Sequence, residues 1–362
     1  MKSPVRVLVV DDSALMRKLI PQMLAADESI DVVGTAMDGT FCLKKIEELQ
    51  PNVVTLDLEM PGMNGIDTLK EIMRRHPVPV IVFSSHSIEG ASITLKALGL
   101  GAFDFVTKPK DASTHMAETS KELIAKVKAA AECKLKPRIP SGIPSKPEKV
   151  SASGSPTKVI AIGVSTGGPQ ALEYLLTQLP GDFPGAILIV QHMPEGFTDM
   201  FARRLDELCA LRVKEAQSGD LLLPGRVLIC PGSRHLRAKR LPLGDVAVLT
   251  DDARVNGHRP SVDVLFRSVA EEFKSQAVAV LMTGMGDDGA EGLGVVKKEG
   301  GMTVAQSEES CVVFGMPKAA IERGYAIRVV SLDVMGATLQ AICGRGSASD
   351  ANSSGRAVRA GN

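Results

Sequence analysis

The chain has 362 residues, 44% of them hydrophobic and 23% charged, a globular composition long enough for two domains of roughly 100–200 residues each. Its 42 basic residues balance its 42 acidic ones, which argues against a large nucleic-acid footprint, because phosphate binding needs a basic surplus. Aromatics are 3% and Trp is absent, so the cores are aliphatic and base-stacking platforms are not expected. No apolar run has the length of a membrane span, and Met1-Lys2-Ser3-Pro4 leads into a strand rather than a signal peptide. Six scattered cysteines (Cys42, Cys133, Cys209, Cys230, Cys311, Cys343) form no C-x-x-C. They read as reduced thiols of a cytoplasmic protein, not as a disulfide frame or a zinc site.

From Val5 to Cys133 short apolar runs alternate with helical patterns. Strands are expected at Val5–Val10, Ile30–Ala36, Val53–Leu58, Val80–Ser84 and Phe103–Val106, with a last helix from about Ser113 to Cys133. Five such units predict a parallel sheet covered on both faces, with ligands at the carboxyl ends of its strands. Asp11 and Asp12 follow the first strand, Asp57 ends the third, Ser84 ends the fourth, and Lys108-Pro109 follows the fifth. Three carboxylates at one sheet edge repel each other unless a cation sits among them. An all-oxygen, partly hydrated donor set favours Mg²⁺. A lysine and a hydroxyl at the same edge would hold a phosphoryl group.

VLVVDDSALMRKLI, VVTLDLEMPGMNGIDTL and DFVTKP resemble the receiver domain of bacterial response regulators. That resemblance implies a flavodoxin-like (βα)5 fold in which Asp57 accepts a phosphoryl group from a histidine kinase. It implies that Asp12 and Asp57 bind Mg²⁺, supported by Asp11 and the backbone carbonyl of Glu59. It also implies that Ser84 and Lys108 contact the phosphoryl oxygens, and that Phe105 is an aromatic switch. A phosphoryl group adds charge and strong acceptors; Ser84 would shift to bond it and Phe105 would follow, repacking the face around the fourth helix.

Residues 134–157 hold five prolines with several Ser and Lys. They cannot bury enough apolar surface to offset ordering entropy, so they read as a flexible linker. Residues 346–362 read as a disordered tail. The expected division is a receiver at 1–133, the linker, and a second domain at 158–345.

In the second domain strands are expected at Val159–Gly163, Ala186–Val190, Arg226–Cys230, Ala277–Met282, Met302–Ala305 and Ala326–Val329. Val213–Thr250, rich in Pro and Gly, suits a β-hairpin, and the whole reads as a Rossmann-like, mostly parallel α/β sheet. The first strand runs into Gly163-Val164-Ser165-Thr166-Gly167, a G-x-S-x-G turn that can expose a serine hydroxyl at the sheet edge. The second ends in Gln191-His192, and the fourth in a turn with Asp287 and Asp288. A serine hydroxyl needs a base, an imidazole suits that task, and a carboxylate behind it fixes the tautomer. His192 alone among the second domain's histidines directly follows a buried strand. His235 and His258 lie in loops as rim or structurally bonded residues, and His76, His86 and His115 read as surface or helix-end residues.

Gly284, Gly286 and Gly289 spell G-x-G-x-x-G, with Glu308 about twenty residues on. A dinucleotide pyrophosphate would meet two carboxylates in that turn, so the pattern does not fit such a ligand. IGVSTGGPQAL, IVQHMP, RPSVDVLF and LMTGMGDDG instead resemble the catalytic domain of the chemotaxis protein-glutamate methylesterases, the CheB family. The resemblance implies Ser165 as nucleophile, His192 as base and Asp288 as orienting acid, with the N–H groups of Thr166 and Met285 as an oxyanion hole. It implies hydrolysis of glutamate γ-methyl esters, and deamidation of glutamines, on methyl-accepting chemotaxis receptors, without a cofactor for the esterase step. The implied enzyme is a cytoplasmic monomer with neither nucleic acid nor membrane insertion, its receiver packed over the active-site mouth. The family usually has Ala where this chain has Asp287, and that acid either raises the imidazole pKa or faces solvent. The competing reading is a response regulator with a non-catalytic or DNA-binding output domain, the latter calling for a basic recognition helix.

Overall fold

The computed structural model describes residues 3–85, 87–108, 116–133, 149 and 154–344. In the first half β1 (Val5–Val10), β2 (Ile30–Ala36), β3 (Val53–Asp57), β4 (Val80–Ser84) and β5 (Asp104–Thr107) alternate with helices. Those helices are α1 (Met16–Leu24), α2 (Gly39–Leu49), α3 (Gly65–Arg75), α4 (Ile88–Gly99) and α5 (Met116–Glu132). The strands pair in parallel in the order β2-β1-β3-β4-β5. β3 and β4 are buried at every position, which is why VVTLD and VIVFS carry no polar alternation. Helix starts are set locally: the side chains of Asp38, Asn64 and Ser87 accept N–H groups of the first turns of α2, α3 and α4.

The second half begins with β6 (Val159–Val164), α6 (Gly168–Thr177), β7 (Ala186–Gln191), α7 (Phe197–Leu208), β8 (Arg212–Glu215) and β9 (Arg226–Ile229). An antiparallel hairpin of β10 (His235–Lys239) and β11 (Val246–Thr250) follows. Then come α8 (Val262–Phe273), β12 (Ala277–Leu281), α9 (Ala290–Lys298), β13 (Met302–Gln306), α10 (Met316–Glu322), β14 (Arg328–Val330) and α11 (Leu332–Cys343). Among the described residues the large sheet has seven strands in the order β14-β13-β12-β6-β7-β9-β8, every pair parallel. From β6 the chain builds outward through β7, then returns to the other side at β12. The crevice at the carboxyl ends of β6, β7 and β12 is therefore the topological switch point.

The six expected strands are present, with ends moved by one or two residues. β8 is an addition. Its sequence RVKE has one buried position in four, the profile of a charged edge strand without an apolar run. Prolines and glycines in the same region lead into the expected β10–β11 hairpin. The expected start of the last receiver helix lies among residues 109–115, outside the described residues, as does most of the linker and the tail.

The two halves are packed together. One apolar cluster runs from Leu95, Leu98 and Phe105 of the receiver-like half into Phe197, Phe201 and Leu172 of the other. α4 lies against α6 and α7.

Candidate active site and phosphorylation pocket

Ser165 follows β6 on a turn that tolerates no side chain at its glycines. A Cβ on Gly163 would lie 2.1 Å from Val262 Cγ1. Gly167 adopts φ +75°, and a Cβ there would lie 2.5 Å from Val312 Cβ. The turn is braced by its neighbours. The Ser165 N–H donates to the Thr283 carbonyl at 3.0 Å, and Gln191 Nε2 donates to the Ser165 carbonyl at 3.0 Å. The N–H groups of Thr166 and Met285 make no hydrogen bond within the described residues, so both are free to meet a substrate oxygen.

His192, at the end of β7, has a side chain only 12% exposed. Its Nε2 lies 2.8 Å from Asp288 Oδ2. The carboxylate also accepts the Ser261 hydroxyl at 2.8 Å and the N–H groups of Val262 at 2.7 Å and Asp263 at 3.2 Å. Val262 and Asp263 open α8, so the anion sits at a helix N-terminus, where the dipole favours it. Burial would raise the Asp288 carboxyl, but His192, the Val262 N–H and Ser261 outweigh it and hold it below the usual carboxylate value. With Nε2 engaged by Asp288, Nδ1 is the imidazole nitrogen left for a proton from Ser165. No hydrogen bond joins Ser165 Oγ to His192 in this structure; such bonds commonly tighten only with substrate bound.

Asp287, where the sequence resemblance led to an expected Ala, is engaged by Arg323 and not by the imidazole. Arg323 Nη2 donates to its Oδ2 at 2.7 Å, and the pair is solvent-exposed. His235 is buried and structurally bonded, with Nε2 3.1 Å from the Ala253 carbonyl and Nδ1 accepting the Ser261 N–H at 3.3 Å. His258 is the residue the motifs did not single out. Its ring stacks on His192 with centroids 4.2 Å apart and planes 2° from parallel. His76 caps α3 beside Glu47, while His86 and His115 lie outside the described residues.

In the first half Asp11, Asp12 and Asp57 bring carboxylate oxygens within 4.8 Å of one another. Lys108 Nζ lies 2.7 Å from Asp57 Oδ2 and 3.3 Å from Asp11 Oδ2. Burial pushes the Asp57 and Asp11 carboxyls up, against the pull of Lys108. Asp11 Oδ2 is buried and meets only the Lys108 ammonium, with no further hydrogen bond. An all-oxygen set of three carboxylates around one lysine leaves lone pairs for a cation and fits Mg²⁺. The Glu59 N–H donates to Asp57 Oδ1 at 3.2 Å. Ser84 is turned toward α4: its Oγ is 2.6 Å from Thr94 Oγ1 and 3.3 Å from the Gly90 carbonyl. Phe105 stacks on Phe197 of α7, centroids 4.9 Å apart and planes 9° from parallel.

Comparison with known proteins agrees with both halves. Residues 160–339 match the family model of the CheB methylesterase, and residues 7–119 match that of the response regulator receiver domain. A protein-glutamate methylesterase/protein-glutamine glutaminase 2 of Koribacter versatilis is 60% identical over 344 residues, covering 92% of this chain and 94% of its own. A protein-glutamate methylesterase/protein-glutamine glutaminase of Halalkalibacterium halodurans is 48% identical, covering 95% and 100%. The crystal structure of the Thermotoga maritima CheB methylesterase catalytic domain superposes with a TM-score of 0.50 at 43% identity, covering 53% of this chain and 100% of that one.

Proposed function

The chain belongs to the family of protein-glutamate methylesterase/protein-glutamine glutaminase enzymes, and on that premise we propose that it demethylates receptor glutamates through Ser165, His192 and Asp288 under control of phosphorylation at Asp57. The observation that carries the catalytic assignment is the His192–Asp288 contact of 2.8 Å beside the Ser165 turn. Asp288 holds the proton on Nε2, which leaves the Nδ1 lone pair to take the Ser165 proton. Ser165 Oγ then attacks the γ-ester carbonyl, and the oxyanion is met by the free N–H groups of Thr166 and Met285. His192 returns the proton to the departing methanol, or to ammonia from a glutamine. Water, deprotonated by His192, hydrolyses the acyl-enzyme to glutamate and regenerates the serine.

The family assignment does not favour the DNA-binding alternative. Among the described residues no helix is long and apolar enough to cross a membrane. Cytoplasmic receptor segments are the substrate and a histidine kinase is the phosphodonor in this reading. Asp11, Asp12, Asp57 and the Glu59 carbonyl would hold Mg²⁺, which offsets the negative charge of the incoming phosphoryl group.

The route from Asp57 to the catalytic groups is short. Ser84 is bonded to α4, and α4 lies on α6 and α7. Gln170 of α6 donates to the carbonyls of Leu98 at 3.2 Å and Ala102 at 3.1 Å. Phe197 opens α7 and lies under Phe105. α6 follows Ser165 and α7 follows His192, so the receiver grips the helices that leave the two catalytic strand ends. Val312, beside Gly167, and its neighbour Val313 pack against the receiver core as well. Drawing Ser84 toward a phosphoryl group would loosen this grip and open the mouth.

Ser165→Ala is expected to cut methanol release from methylated receptor by about 10⁶-fold, as removal of a triad serine does. Retained turnover in that variant would exclude Ser165 as the nucleophile.

A further inference from the structure

We propose that His258 is a positioning residue that locks the ring plane of His192; the inference rests on His192 being the base. The argument begins with what Asp288 leaves undone. A hydrogen bond at Nε2 fixes a point close to the axis about which an imidazole turns on its Cβ–Cγ bond. Rotation about that axis stays soft, and it is this rotation that swings Nδ1 toward or away from Ser165. A flat partner against the ring face blocks it. His258 is that partner, parallel to within 2° at 4.2 Å.

The segment that presents His258 is built to hold still. Val255 and His258 exchange both backbone hydrogen bonds, at 3.0 and 2.9 Å. Between them Asn256 has φ +52° and Gly257 φ +80°, the two-residue Asn-Gly turn that favours positive φ at both positions. Asn256 Nδ2 donates to Oδ2 of buried Asp263 at 3.0 Å. Asp263 Oδ1 accepts the Gly292 N–H at 2.6 Å. Arg254 Nη1 donates to the Gly257 carbonyl at 3.3 Å, and Arg259 Nη1 donates to the carbonyls of Asp251 and Asp252 at 3.0 and 3.2 Å. The turn is thus tied to the start of α8, the same helix end that receives Asp288. One rigid unit fixes both the edge and the face of His192.

The charge environment suits the role. Burial and His192 push the His258 imidazole below the usual histidine value; Asp288 and Asp287 oppose this and Arg254 adds to it. His258 is therefore uncharged at neutral pH. An uncharged aromatic face also favours the imidazolium that forms on His192 when Ser165 is deprotonated.

A residue that merely lines the substrate mouth would behave differently, so the test separates kcat from KM. The full chain, with Mg²⁺ and a small-molecule phosphodonor, is assayed for methanol release from methylated receptor. In parallel, the rate at which a fluorophosphonate probe labels Ser165 is measured, since that reaction needs the base but no receptor contact. His258→Ala is expected to lower kcat and the labelling rate together by roughly tenfold, a part of the 10²–10⁴ that a general base supplies, with KM within about twofold. His258→Phe or His258→Tyr, which keep a flat ring, should restore most of both rates. A rise in KM with unchanged labelling would overturn the proposal, as would failure of both ring-bearing variants to exceed His258→Ala. Full turnover in His192→Ala would instead remove the underlying base assignment, whatever the His258 variants do.

Discussion

Asp288 shows how much a single carboxylate carries here. It accepts from His192, from the Ser261 hydroxyl and from the first N–H groups of α8. Its pKa is held below that of the unfolded chain, so its contacts stabilise the fold above the unfolded value of about 3.9. That stabilisation is lost as pH falls through the lower native value. Asp288→Asn should therefore flatten the acid side of the stability curve, measured as melting temperature against pH. It should also lower kcat by about 10⁴-fold, the size seen when a triad carboxylate becomes an amide. Unchanged acid stability together with unchanged kcat would leave Asp288 without either role. Ser165 and His192 were legible in the sequence because each directly follows a buried strand, and Asp288 because it lies in the glycine-rich turn after one. His258 was not, because only the Asn256-Gly257 turn hints at a rigid presentation and nothing local tells which ring it meets. Asp287 likewise needed Arg323, distant in sequence, to show that it faces solvent.

At the level of elements, the proposed control surface is the pair of helices α6 and α7 held under α4. Their first turns carry Gln170 and Phe197, each five residues beyond a proposed catalytic residue. Removing the receiver's side of the aromatic stack tests this without touching the catalytic half. Phe105→Ala should raise methanol release by the unphosphorylated enzyme several-fold, since loss of a stacked pair costs roughly 0.5–1.5 kcal/mol beyond its area. Basal release at or below the wild-type rate would separate the stack from the control of access. The strands themselves were readable wherever burial on both faces forces an apolar run, as in AILIV and AVAVL. β8 was missed because an edge strand satisfies only one neighbour and carries Arg212, Lys214 and Glu215 on an otherwise short segment. Helix packing between the halves was beyond reach, because Leu98, Phe105 and Phe197 look like ordinary core residues from sequence alone.

For the whole molecule, a receiver domain is seated on the methylesterase domain through one continuous apolar cluster. Interfaces between domains of one chain are modest in strength, so a local event worth a few kcal/mol can shift them. The most direct test is methanol release from methylated receptor by the full chain, with and without a small-molecule phosphodonor in Mg²⁺, beside Asp57→Asn. The expected result is a clear rise with phosphodonor in the wild type, no rise in Asp57→Asn, and loss of the rise, with basal turnover kept, when Mg²⁺ is chelated. Equal rates with and without phosphodonor in the wild type, or an undiminished rise in Asp57→Asn, would contradict control of Ser165 from Asp57.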